Sequence, residues 1–301
     1  MNHSNNLELI ENQGWDQRIL VCRNDELVDT FIVVTDAYVV LIDTVINPAT
    51  AAKMVEFAQP YLTGSRTLLV VNTHADYDHA WGNQLFAGPV ARYPAPIIAT
   101  RSCAEQFATA EAAASLAQRQ EKEPAIFGEI ILTPPTLLFD QTFTIQGGDL
   151  TLELFATPGH TVDHLSIFLP EIRTLLAADA AELPYPFART VEGLPAMRAS
   201  LAKLAALEAD FVLYCHAPVT IGGQLLRENI AYFDALEAHC QHWLAQKPTA
   251  IAEDDASLIA QLGCLYAEIA PQDGPWELVA PYYRFQGHAA QIRMMLEHLQ
   301  K

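Results

Sequence analysis

Basic residues are scarce in this 301-residue chain: 17 Lys and Arg stand against 36 Asp and Glu, for a formal net charge of −19. Such a surface repels phosphate backbones and anionic headgroups, which argues against nucleic acid and membrane surfaces as partners. Cysteine is sparse too. Cys22, Cys103, Cys215, Cys240 and Cys264 are odd in number and form no Cys-x-x-Cys pair. A disulfide framework is therefore not expected, and reduced, buried thiols are. No apolar run approaches the roughly 20 residues needed to cross a bilayer. Met1–Gln13 is polar and lacks the apolar core of a secretory signal, so a soluble, cytoplasmic protein is expected. The Gly-x-Ser-x-Gly elbow and the phosphate-binding loop are missing, as is any repeat of solenoid period.

What is present is ample core material, with 51% hydrophobic residues. The length suits one large domain or two small ones. After a short tail or edge element, three strand-like runs, Ile19–Cys22, Thr30–Val34 and Tyr38–Ile42, are joined by turns and predict an antiparallel meander. Pro48–Tyr61 has helical periodicity, and Thr67–Val71 reads as a buried parallel strand. A strand near Ile97–Ala99 precedes an Ala-rich helix, Ser102–Gln120, ended by Pro124. Thr142–Ile145 and Leu150–Phe155 flank a Gly147-Gly148-Asp149 turn, and strands follow at Leu165–Leu169, Thr174–Ala177 and Phe211–Tyr214. Helices are predicted over Pro195–Leu207, Gln224–Gln246, Ser257–Ile269 and His288–Leu299. Strands then helix in each half suit an α/β fold of βα/αβ sandwich type.

The chemistry concentrates in Asn72-Thr73-His74-Ala75-Asp76-Tyr77-Asp78-His79-Ala80-Trp81-Gly82-Asn83. His74, Asp76, Asp78 and His79 are donors suited to a metal ion, and they directly follow a strand, where open α/β sheets place their sites. His160, Asp179 and His216 also follow strand-like runs. Singly, His160 or His216 reads as a hydrogen-bonded histidine; together these residues read as ligands.

The stretch resembles the Thr-His-x-His-x-Asp-His-x-x-Gly-Asn motif of the metallo-β-lactamase-fold hydrolases, matching at Thr73, His74, Asp78, His79, Gly82 and Asn83. It departs at Asp76, where the family usually carries its second His. The resemblance covers about residues 18–220. It implies a four-layer αββα sandwich over residues 14–222, with 223–301 a helical extension packed on the same domain. It further implies that His74, Asp76 and His160 hold one metal, that Asp78, His79 and His216 hold a second, and that Asp179 bridges them. Asp43 in Leu-Ile-Asp-Thr would then lie beneath the metal loop; read from the residues alone it is equally a turn or capping residue.

Two such cations lower the pKa of a shared water and polarise a carbonyl or phosphoryl group, and Asp78 is the expected proton acceptor. Asp76 adds negative charge, making the first site two His and a carboxylate, a set used by zinc hydrolases and by non-haem iron enzymes. Zinc, one or two ions, is expected, with iron or manganese as alternatives. The resulting expectation is a hydrolase that uses metal-bound hydroxide on a small ester, lactone, thioester or amide. The alternatives are a non-haem iron oxidoreductase acting on O₂, NO or a sulfur compound, and a metal-binding protein without turnover. A small-molecule substrate is the expected partner, and a homodimer is compatible with the sequence. His164 reads as a core histidine or one that orients a ligand, Tyr185 as packed in a Pro-rich loop, and Trp81 as core or pocket wall. His239, His242, His288 and His298 read as structural or exposed, without partners.

Overall fold

The computed structural model describes residues 3–216, 221–248, 250–270 and 279–301. The first two residues of the expected tail lie outside this range. The chain forms two compact units, one of Met1–Ala156 with Asp163–Leu176, the other of Thr157–Val162 with Ala177–Lys301.

In the first unit β1 (Glu8–Ile10), β2 (Ile19–Asn24), β3 (Val28–Val34), β4 (Tyr38–Ile42), β5 (Thr67–Val71), β6 (Ile97–Thr100) and β7 (Leu137–Phe139) lie side by side in chain order. β1 to β4 form the antiparallel meander, with the tail supplying its edge strand. From β4 to β7 the pairing is parallel. This switch requires crossovers, which helices provide. α1 (Pro48–Ala58) starts where Asn47 accepts from the Ala49 and Thr50 backbone N–H groups, and the Thr50 side chain returns the bond to Asn47. Pro48 occupies the first helical position, where its missing N–H costs nothing. Ile42 pairs with Val71, so the ends of β4 and β5 are level. That register brings Asp43 beside the loop after β5.

α2 (Tyr77–Ala80) is a single turn inside that loop. The expected helix over 102–120 is two helices, α3 (Arg101–Gln106) and α4 (Ala110–Lys122). The Thr109 side chain accepts from Ala112 N–H and caps the second, so a residue that competes for backbone bonds breaks an otherwise helical composition. α5 (Pro124–Phe127) begins at the proline expected to end the segment. β7 is too short and too exposed to show a period in the sequence.

A second, antiparallel sheet contains β8 (Thr142–Gln146), β9 (Thr151–Ala156), β10 (Leu165–Leu169) and β11 (Thr174–Ala178). All residues of β10 and β11 are buried. Both strands accordingly read as mostly apolar runs, with Ser166 and Thr174 the polar exceptions, rather than alternating ones.

The second unit carries α6 (Gly193–Ala205), β12 (Phe211–Tyr214), α7 (Gln224–Ala245), α8 (Asp255–Leu262), α9 (Tyr266–Ile269) and α10 (His288–Gln300). α7 packs against α6 and α10. Gly263, at φ 59°, ends α8 in the left-handed conformation, splitting the helix expected over 257–269. Tyr185 and Tyr232 stack with ring centroids 4.3 Å apart, and Tyr185 Oη donates to the Tyr283 carbonyl at 2.7 Å. Tyr185 is thus a packed aromatic. His288 does have partners: its Nδ1 lies 2.8 Å from Tyr232 Oη and its Nε2 2.8 Å from the Cys264 carbonyl. Among the described residues, no helix is long and apolar enough to cross a membrane.

Candidate metal centre

In the first unit the site is built on Asp43. Its Oδ1 accepts the Thr73 backbone N–H at 2.7 Å, and its Oδ2 accepts the Thr73 hydroxyl at 2.8 Å. The same Oδ2 lies 2.8 Å from His79 Nδ1. A carboxylate can only accept, so His79 carries its proton on Nδ1 and presents the Nε2 lone pair. Asp43 therefore lies beneath the loop and orients it.

His74 is fully buried, with Nδ1 3.0 Å from Thr73 Oγ1, and its ring centroid is 4.2 Å from that of His79. Asp76, at the N-cap of α2, sets its Oδ2 3.3 Å from His74 Nε2. Asp78 is buried within the same turn. The rest of the motif is scaffold. Asn83 exchanges side-chain hydrogen bonds with Asn72 at 2.8 and 3.1 Å and accepts from Thr44 at 2.9 Å. A Cβ on Gly82 would stand 2.1 Å from the Thr44 carbonyl oxygen and 2.7 Å from Ala51 Cβ, so only glycine lets the backbone pass.

Asp163, not singled out from the sequence, accepts the Ala75 N–H at 2.9 Å, while its carbonyl accepts the Thr100 hydroxyl at 2.8 Å. His164 lies with its ring 5.2 Å from that of His74. Trp81 is core, packed with Ile46, Phe107 and Phe127. The Arg119 guanidinium sits 3.5 Å from the centroid of Tyr77, between Asp76 and Asp78 in the chain.

In the second unit His160 Nε2 lies 3.6 Å from Asp179 Oδ2, and His216 Nε2 lies 3.3 Å from the same oxygen. Asp179 directly follows β11, and Cys215 alone separates His216 from the end of β12. The loop carrying His160 is pinned where Ser200 Oγ donates to the Pro158 carbonyl at 2.7 Å. Gly159 has φ 152°, and a Cβ there would stand 2.4 Å from Met197 Cα. Glu182 is a residue that the sequence does not single out. Its Oε1 lies 3.7 Å from His160 Nδ1. Burial pushes its carboxyl up to about 7, helped by Asp179 and opposed by His160 and His216. No motif marks Glu182; only its place shortly after Asp179 hints at a role.

These donors suit a divalent metal. Two ligands on one tetrahedral ion, with bonds of about 2.0–2.2 Å, lie roughly 3.3–3.6 Å apart. The His74–Asp76, His160–Asp179 and His216–Asp179 separations are 3.3, 3.6 and 3.3 Å. Groups of three His, Asp or Cys donors near enough to share one ion occur among the described residues, and Asp76 is not a member of them.

The profile of the metallo-beta-lactamase superfamily matches residues 23–216, and the chain belongs to that superfamily. A hydroxyacylglutathione hydrolase of Rhodopseudomonas palustris is 47% identical over 72 residues, 24% of this chain and 28% of that protein. One from Saccharophagus degradans is 23% identical over 188 residues, 59% of this chain and 57% of that protein. The chain thus spans only about a quarter to somewhat over half the length of these relatives. Among solved structures, a metallo-beta-lactamase family protein from Thermus thermophilus superposes with TM-score 0.60 at 20% identity, over 98% of this chain and 93% of that one. The fold is the expected α/β sandwich with C-terminal helices.

Proposed function

We propose that this chain is a metal-dependent hydrolase of small acyl compounds, with thioesters the foremost substrate class. In this reading His74, Asp76, Asp78, His79, His160, Asp179 and His216 are the residues that would hold one or two divalent ions, with zinc the favoured metal. The observation that carries it is the set of ligand-edge separations between imidazole nitrogens and carboxylate oxygens at strand ends, 3.3 to 3.6 Å. Superfamily membership and the likeness to hydroxyacylglutathione hydrolases support it, since a hydroxyacylglutathione is a thioester.

A bound divalent ion would supply Lewis acidity towards an acyl carbonyl and make water acidic enough to be deprotonated near neutrality. The remaining work falls to the chain. Asp43 fixes the ring of His79 and, through Thr73, the start of the loop. Asp78, buried in α2, accepts the proton of the attacking water and returns it to the leaving thiolate.

A specific observation supports a second reading. Asp76 Oδ2 reaches to 3.3 Å from His74 Nε2, and this harder oxygen donor shifts preference towards iron or manganese. That reading is a non-haem iron oxidoreductase. Hydrolysis of a panel of hydroxyacyl thioesters, esters, lactones and amides by zinc- and iron-loaded protein separates the two. Thioester turnover with zinc supports the hydrolase. Turnover confined to iron-loaded protein with O₂, NO or a sulfur substrate overturns it.

A further inference from the structure

Glu182 is almost fully buried and lies outside the proposed ligand set. The backbone around it is clamped by one side chain of α7. Asn229 Oδ1 accepts the Glu182 N–H at 2.9 Å, and Asn229 Nδ2 donates to the Glu182 carbonyl at 2.9 Å and to that of Pro184 at 3.2 Å. Asn229 is itself fully buried, and a buried amide that satisfies three backbone groups is expensive to disturb. Phe187 N–H donates to Glu182 Oε1 at 3.3 Å. So held, the carboxylate faces His160 Nδ1 at 3.7 Å.

The other ring nitrogen of His160 identifies the tautomer. The Arg189 Nη2 lies 3.2 Å from His160 Nε2. A guanidinium is only a donor, so Nε2 must be the acceptor and carry the lone pair. The proton of the neutral ring is then on Nδ1, the atom that faces Glu182. The same lone pair is the one a metal would take, so a bound ion would displace the Arg189 N–H from it.

We infer that Glu182, clamped by Asn229 of α7, is a positioning residue that holds His160 in the Nδ1–H tautomer and presents its Nε2 to a metal ion. The inference rests on the proposed role of His160 as a ligand. It gives α7 a part in the chemistry: the helix reaches His160 through one amide and one carboxylate. Carboxylates behind ligating histidines raise ligand basicity and fix ring orientation, and their loss weakens metal binding about 10- to 100-fold.

The test is zinc affinity of metal-stripped, full-length protein, measured by competition with a chromophoric chelator, in wild type, Glu182→Gln, Asn229→Leu and His160→Ala. Circular dichroism checks folding. The expected result is binding weakened at least about 10-fold in Glu182→Gln, weakened in the same direction in Asn229→Leu, and weakened most in His160→Ala. Wild-type affinity in Glu182→Gln beside a loss in His160→Ala overturns the inference and leaves the metal site standing. Wild-type affinity in His160→Ala overturns the ligand reading and this inference with it. Should Glu182→Gln fail to fold, nitrogen-15 spectra of the zinc-loaded wild type decide, with the His160 ring assigned by its loss in His160→Ala. A protonated Nδ1 is expected, and a bare Nδ1 contradicts the inference.

Discussion

Asp43 Oδ2 and His79 Nδ1 are 2.8 Å apart with both side chains wholly buried, and the same carboxylate holds Thr73 by its backbone N–H and its hydroxyl. One carboxylate at the end of β4 thus fixes both the entry to the loop after β5 and the ring of His79 further along it. Replacing it with Asn leaves donors facing a donor. Asp43→Asn is expected to lose about 1–3 kcal/mol of folding stability and to weaken metal binding about 10-fold or more. Urea unfolding and chelator competition on the same sample measure the two effects. Unchanged metal affinity would remove Asp43 from the account of the site.

Gly82 lies where the chain after α2 passes the backbone of Thr44 and the side chain of Ala51. A methyl group 2.1 Å from a carbonyl oxygen cannot be accommodated by rotating a side chain. Gly82→Ala is expected to cost about 3 kcal/mol or more, since overpacking against backbone forces the main chain to move. A denaturation midpoint equal to that of wild type would contradict the packing described.

Asp76 tests which metal the loop prefers. Asp76→Ala is expected to weaken metal binding, because a carboxylate 3.3 Å from His74 Nε2 is removed. Asp76→His is expected to retain zinc and to show a lower iron-to-zinc ratio than wild type when both metals are supplied, as imidazole is the softer donor. Metal content of the three proteins from the same medium gives the answer. Equal ratios in wild type and Asp76→His would show that Asp76 does not tune the metal.

Most of the strands, though not β7, and the loop are legible because they rest on short-range signals. β-branched runs, capping residues and a dense ligand motif all declare themselves within a short stretch of chain. The two helix breaks were not legible as such, since Thr109 and Gly263 interrupt segments that otherwise keep helical composition. From the sequence alone Asp43 fits a turn residue and a residue beneath the loop equally well. Only the pairing of Ile42 with Val71 brings it level with Thr73 and decides the matter. Glu182 and Asn229 are 47 residues apart and carry no motif, so their bond belongs to tertiary structure alone. The partners of His288 are hidden for the same reason, since Tyr232 and Cys264 reach it across the fold.

His288 also predicts how stability follows pH. Burial lowers its pKa below the ordinary value of 6.5, outweighing the opposing bond to the Cys264 carbonyl. The folded state therefore holds the ring neutral where the unfolded chain would already take a proton. This contribution is fully present above about pH 6.5 and is lost as pH falls from there towards the lowered folded value. Free energies of unfolding are expected to decline through that window in wild type, and to decline less steeply in His288→Gln. Equal slopes in the two proteins would assign the acid sensitivity to other groups.

The most direct test of the central claim is elemental analysis of protein purified without added metal, alongside Asp179→Ala. The proposed ligand set predicts one or two tightly held divalent ions per chain in wild type, zinc foremost, with a marked fall in Asp179→Ala. Wild-type protein that emerges without metal and takes up none when zinc, iron or manganese is supplied would contradict the account.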